Sequence, residues 1–119
     1  MDYTVIQKNG QSYVECVPGG GLLASEADAL DLMAACGENG IDRLMLHAEN
    51  LPEDFYDLHS GLAGAVLQKF INYRIRVAVV LTPERVGQGK FYEMVLESNR
   101  GRQFHVSYDR DSAEAWLLE

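Results

Sequence analysis

Phe55-Tyr56-Asp57-Leu58-His59-Ser60-Gly61-Leu62-Ala63-Gly64-Ala65-Val66-Leu67-Gln68-Lys69-Phe70 is the stretch whose reading decides the fold. It reads as an acidic loop running into a helix. Leu62, Val66 and Phe70 recur at i, i+4 and i+8, and Ala63, Leu67 and Ile71 lie one step round. A face that wide packs flat on a sheet. Gly61 and Gly64 each cost about 1 kcal/mol relative to Ala inside a helix. Their presence in the first turn predicts either another backbone passing close by or a ligand at the helix N-terminus.

Outward from this helix the pattern turns to strands. Ile75 to Leu81 is nearly continuous apolar, the mark of a strand covered on both faces. Ile41 to His47 is a second strand, with a Leu44-Met45-Leu46 centre, followed by a loop over 48–57. Strand, helix and strand in that order predict a right-handed parallel crossover. Upstream, residues 3–8 and 12–17 read as strands joined by a turn at Asn9-Gly10, a strong hairpin signal. The glycine run Pro18-Gly19-Gly20-Gly21 lacks a following GK[ST] and reads as a flexible turn rather than a phosphate cradle. Ser25-Glu26-Ala27-Asp28 has the form of a capping box. It opens a helix with Leu30, Met33, Ala34 and Gly37 on its buried face and Gly40 past its end.

Downstream, a loop over 82–89 leads to a helix from about Lys90 to Asn99, burying Tyr92, Val95 and Leu96. Arg100-Gly101 looks like its stop, with Asn99 or Gly101 in a left-handed cap and Arg100 on the last carbonyls. Residues 103–108 alternate as a half-exposed strand. Asp111 to Glu114 repeats the capping-box pattern and opens a last helix, with Ala113, Trp116 and Leu117 facing in. The order ββαβαβαβα predicts one α/β domain over residues 1–119, a mixed, mostly parallel sheet of about five strands with helices packed on it.

Composition bounds the function. The 119 residues are 47% apolar, enough for a core without disulfides or metal. Cys16 and Cys36 match no metal or redox spacing and read as reduced core residues. With no signal-peptide pattern and no apolar run near the roughly 20 residues that cross a bilayer, the expected location is cytoplasmic and no membrane partner is expected. The net charge of −8 speaks against nucleic acid. Residues 1–59 hold 11 acids against 2 bases, whereas residues 60–119 hold 7 against 8. The bland reading of this asymmetry is solvated helix faces; the sharper one is an acidic side to the molecule.

Ligands of parallel sheets gather at the C-terminal strand ends. That edge is expected to hold the 48–60 loop, the 82–89 loop and Ser60. The candidate surface is Asp57, His59, Ser60, Gly61 and Gly64, with His47, Glu49 and Thr82 on its rim. The simplest role for Ser60 or Asp57 is to cap the helix, worth about 1 kcal/mol. A hydrolase would need Ser60 as nucleophile. Ser60, His59 and Asp57 include the right residue types, but neighbours in sequence on a helix point about 100° apart, so His47 or His105 would have to reach Ser60 instead. The G-x-S-x-G elbow is absent. A metal could draw on His47, Glu49, Asp57 and His59, but no HExxH-like spacing supports one. No catalytic residue, metal ligand or cofactor is therefore assigned.

Two resemblances attach to these residues. Phe55-Tyr56-Asp57-Leu58, Ser60-Gly61-Leu62-Ala63-Gly64, Leu67-Gln68-Lys69-Phe70 with Asn72-Tyr73, and Glu97-Ser98-Asn99-Arg100-Gly101 together resemble a bacterial family known only as a domain of unknown function. Ala65 departs from it, standing where that family commonly has an acidic residue. More distantly, the element order and Phe55-Tyr56-Asp57 with Ser60-Gly61-Leu62 resemble the STAS domains of anti-sigma-factor antagonists. One extra residue separates Asp57 from the Ser-Gly-Leu. That resemblance implies a STAS-like fold and a serine at a helix start whose phosphorylation switches partner binding; here it maps to Ser60. The expected function is a regulatory or protein-interaction module, with a homodimer through an exposed edge strand as a further expectation. The alternative is a small-molecule-binding domain or weak hydrolase using the same helix N-terminus. A concave site beside Ser60 would favour the alternative; a flat or convex surface favours the module.

Overall fold

The computed structural model describes residues 1–119. Five strands, β1 (Tyr3–Lys8), β2 (Gln11–Cys16), β3 (Arg43–His47), β4 (Arg76–Val80) and β5 (Phe104–Ser107), form one sheet in sequence order. β1 and β2 are antiparallel, and β2 to β5 are parallel. The hairpin turns at Asn9 (φ 53°) and Gly10 (φ 79°), the two left-handed residues of a type I′ turn.

The helices are α1 (Glu26–Glu38), α2 (Glu53–Tyr56), α3 (Leu62–Asn72), α4 (Pro83–Val86), α5 (Lys90–Ser98) and α6 (Arg110–Leu117). Right-handed crossovers that always step to the next strand in the same direction leave their helices on one face. α1, α3 and α5 accordingly share a core of 23 buried residues with Val14, Leu44, Leu46, Val77 and Val79 of the sheet. Only α6 returns to the other face, where Tyr13, Met45, Ala78, Ala113 and Leu117 form a second, five-residue cluster. No helix is long and apolar enough to cross a membrane.

Several local expectations are corrected. α1 buries Ala29, Leu32, Met33 and Cys36, while Leu30 is 45% exposed. Apolar residues run nearly round α1, so periodicity alone does not choose its face; packing on the sheet and α3 does. α5 buries Phe91 and Val95, and Leu96 is 46% exposed. The last helix is capped by Asp109, whose carboxylate accepts from Ser112 N at 2.7 Å, so its cap lies two residues before the expected box. Residues 48–57 are not an open loop. They hold a 3-10 turn (Ala48–Asn50) and α2, with Leu51 and Phe55 buried. The glycine run wraps the chain start: Asp2 N donates to Gly20 O at 2.9 Å, and a side chain on Gly21 would meet Met1 at 2.9 Å.

The end of α5 differs most from expectation. Asn99 is right-handed (φ −69°), and Gly101 has no positive φ. The Asn99 amide instead lies along the outer edge of β5. Its Nδ2 donates to Val106 O at 3.1 Å and its Oδ1 accepts from Val106 N at 2.9 Å. One side chain does there what a sixth strand would do. The left-handed cap falls on Arg74 (φ 58°) after α3, where Ile75 N bonds Phe70 O at 2.9 Å in a Schellman closure.

Candidate functional site

The Ser60 segment is a chain of short turns. Pro52 precedes α2, whose Phe55 is fully buried and meets Phe91 edge-on at 6.3 Å. Glu53 pairs with Arg85, and the Arg85 guanidinium lies 4.1 Å over the Tyr56 ring. These contacts tie α2 to α4. Asp57 then caps a 3-10 turn over Leu58–Ser60, accepting from His59 N at 3.1 Å. Gly61 follows in the left-handed region (φ 79°) and is the N-cap of α3.

Ser60 therefore stands one residue before the helix cap. Its Oγ donates to Asp54 O at 2.5 Å and accepts from Leu62 N at 3.2 Å. One exposed hydroxyl thus joins α2 to the first residue of α3. Neither glycine is explained by a close backbone: nothing lies within 4 Å of a Cβ built on Gly61 or Gly64. Gly61 is required by its positive φ. Nothing in the structure explains Gly64.

The residues expected on the rim part company. Thr82 caps α4, accepting from Arg85 N at 3.2 Å, and Glu49 is exposed in the turn after β3. His47 ends β3 on the α6 side, away from Ser60, with Nε2 2.7 Å from Glu15 Oε2. His105 stacks on Trp116 with ring centroids 4.9 Å apart, also on the α6 side. Neither histidine can serve Ser60 as a base. His47, Glu49, Asp57 and His59 do not converge, and no three His, Cys, Asp or Glu side chains do so elsewhere.

What His47 joins is a buried ionic network that periodicity did not single out. Arg110 forks onto Glu15 through Nε (2.9 Å) and Nη2 (2.8 Å), and Nη2 also donates to the Tyr13 hydroxyl at 2.8 Å. Tyr13 donates to Glu114 Oε2 at 2.5 Å, and Lys8 Nζ donates to Glu114 Oε1 at 2.6 Å. The Glu15 and Glu114 side chains are only 13% and 8% exposed. The Arg110 fork holds the Glu15 carboxyl below its ordinary pKa, against the pull of burial. Lys8, then Tyr13, do the same for Glu114. Burial, then the bond to Glu114, pushes the Tyr13 phenol well up. Every member is matched to a partner, so the network binds α6 to the sheet rather than presenting a free acid or base. Its signal was in the sequence. Tyr13 and Glu15 alternate away from Val14 and Cys16, and Glu114 shares the inward stripe of Ala113 and Leu117.

The structure has one surface cleft, of about 600 Å³, lined by Pro83, Glu84, Gly87, Gln88, Tyr92 and Tyr108. It contains none of the candidate residues and no nucleophile paired with a base. Topology accounts for the shallow relief. A ligand crevice in an α/β sheet opens where the strand order reverses, and this order never reverses.

The family model described as Domain of unknown function (DUF4180) matches residues 8–117, and the chain belongs to that family. No curated protein and no solved structure matches the chain.

Proposed function

We propose that this chain is a regulatory protein-interaction module whose contact surface is the Asp57–Gly64 turn, with Ser60 as its switch. One observation carries the reading: the exposed Ser60 hydroxyl bridges Asp54 O and Leu62 N, and no cavity opens beside it. Phosphorylation would replace the hydroxyl proton with a phosphoryl group, so the bond to Asp54 O could no longer be made. The added charge would sit against the Asp57 carboxylate and that carbonyl, while the first N–H groups of α3 would attract it. The turn would then re-form around a different set of bonds, altering the surface a partner meets. With the four-residue helices α2 and α4 set aside, the strands and longer helices run ββαβαβαβα, which supports the STAS-like reading at the level of architecture.

A second reading has one observation in its favour. The cleft between Tyr92 and Tyr108 could take a small ligand, at the strand ends but away from Ser60.

An affinity capture from native cytosol with wild type, Ser60→Ala and Ser60→Asp, read by mass spectrometry that also reports phosphorylation, tests the proposal. A partner kept by Ser60→Ala and lost by Ser60→Asp is the expected result. No partner and no phosphate on Ser60 would sink it and move the search to ligands of the tyrosine cleft.

A further inference from the structure

We infer that the chain pairs with a second copy of itself through β1, in an antiparallel register that sets Val5 opposite Val5. The two edges of the sheet carry the argument. β5 is closed by the Asn99 amide, which takes both outward groups of Val106. β1 has no such cover. It runs six residues without proline or bulge. Its one charged residue, Lys8, is drawn back to Glu114. Natural edge strands are usually interrupted, charged or covered, and an edge with none of these devices invites another strand.

The register follows from the hairpin. In a two-residue type I′ loop the flanking residues Lys8 and Gln11 form a hydrogen-bonded pair, and such pairs alternate. With the register Ile6↔Tyr13 and Thr4↔Glu15, the even residues of β1 spend their backbone groups on β2. The next step of the alternation is present, as Val17 N donates to Asp2 O at 2.9 Å. Tyr3, Val5 and Gln7 therefore point their N–H and C=O groups outward. A two-fold axis through Val5 makes Val5↔Val5 and Tyr3↔Gln7 hydrogen-bonded pairs, so all three outward residues are used at once.

The side chains agree with that axis. Thr4 falls opposite Ile6, and Asp2 falls opposite Lys8, whose half-exposed ammonium has three N–H donors and so can face Asp2 while keeping its bond to Glu114. Tyr3 and Val5, each 37% exposed, meet Gln7 and Val5 of the second copy on the α1 side. A shift of two residues either way loses the charge match, because Asp2 then faces Ile6 or Lys8 faces Thr4.

Sedimentation velocity across a concentration series tests the pairing. Wild type is expected to dimerise. Val5→Pro removes an outward N–H that β2 does not use, and should raise the dimer dissociation constant about a hundredfold while circular dichroism stays native. Val5→Lys, which sets two ammonium groups face to face, should act in the same direction should the proline variant fail to fold. For the register, Val5→Cys should form an intermolecular disulfide under mild oxidation, since hydrogen-bonded pairs sit about 5.5 Å apart. Cys16 and Cys36 are buried and do not compete. A mixture of Thr4→Cys and Ile6→Cys should cross-link where neither does alone. A wild type that stays monomeric throughout, or folded Val5 variants that associate as tightly as wild type, would overturn the interface. A dimer whose Val5→Cys form does not cross-link would overturn the register.

Discussion

The two faces of the sheet are held by different physics. Under α1, α3 and α5 lies an apolar core of 23 residues. Under α6 lies a cluster of five that includes Tyr13, ringed by Glu15, His47, Arg110 and Glu114. The winding causes the difference. Three same-handed crossovers put three helices of 13, 11 and 9 residues on one side, leaving one eight-residue helix to cover the other. A helix that short buries little, and the ion pairs and the Tyr13 hydroxyl fix its placement. Arg76 fastens its far end, donating to Trp116 O at 3.1 Å and Leu117 O at 3.3 Å, with its guanidinium 4.3 Å over the Trp116 ring. Apolar burial is indifferent to pH; the α6 side is not.

The comparison can be broken most sharply in the core. Phe70→Ala removes a side chain 1% exposed in the centre of the large cluster and should cost about 3–5 kcal/mol in urea unfolding. That loss should be the same at neutral and acid pH. Arg110→Ala should cost less, about 2 kcal/mol near neutrality, because the Arg110 side chain is 41% exposed although its partners are buried. The pH response separates the two. Glu15 and Glu114 titrate lower in the folded protein than the 4.5 of a free glutamate. Their contribution is therefore complete above that value and is lost as pH falls through their folded pKa values. Wild type and Arg110→Ala should converge in acid, whereas wild type and Phe70→Ala should not. Persistence of the Arg110→Ala deficit in acid would mean that packing, not charge, fixes α6.

Asn99→Ala should cost about 1 kcal/mol, and its clearer signature is faster hydrogen exchange at the Val106 amide. Unchanged exchange there would show that the Asn99 contact does not protect the edge. Gly64→Ala should have the smallest effect and the opposite sign, a gain of up to about 1 kcal/mol, since the position is helical, exposed and open. A loss at Gly64 would point to a partner that needs the bare backbone.

The same contrast explains what could be read in advance. Apolar runs and turn chemistry announced the hairpin at Asn9-Gly10, the buried β4 strand, α3 and the order of the strands and longer helices, but not the four-residue helices α2 and α4, which fall in the expected 48–57 and 82–89 loops. The core face is built from such signals. The other face is built from pairs far apart in the chain, such as Glu15 with Arg110 and Tyr13 with Glu114, and no local spacing records contacts across 95 and 101 residues. Ser60 was legible as a serine at a helix start, but not as the link from Asp54 to Leu62, because the left-handed Gly61 moves the cap by one residue. Asn99 was misread for a related reason: a helix-end asparagine usually serves its own helix, and this one serves the neighbouring strand.

That asparagine has a consequence for how large an assembly can become. A ribbon of chains that lengthens without limit needs two open edges per chain, one to receive and one to offer. In the proposed pairing through β1, with the outward groups of Val106 on β5 taken by the Asn99 amide, each chain offers one edge, and joining two chains uses up both. On that pairing a single side chain sets a stoichiometric ceiling, and separates a closed pair from a fibre.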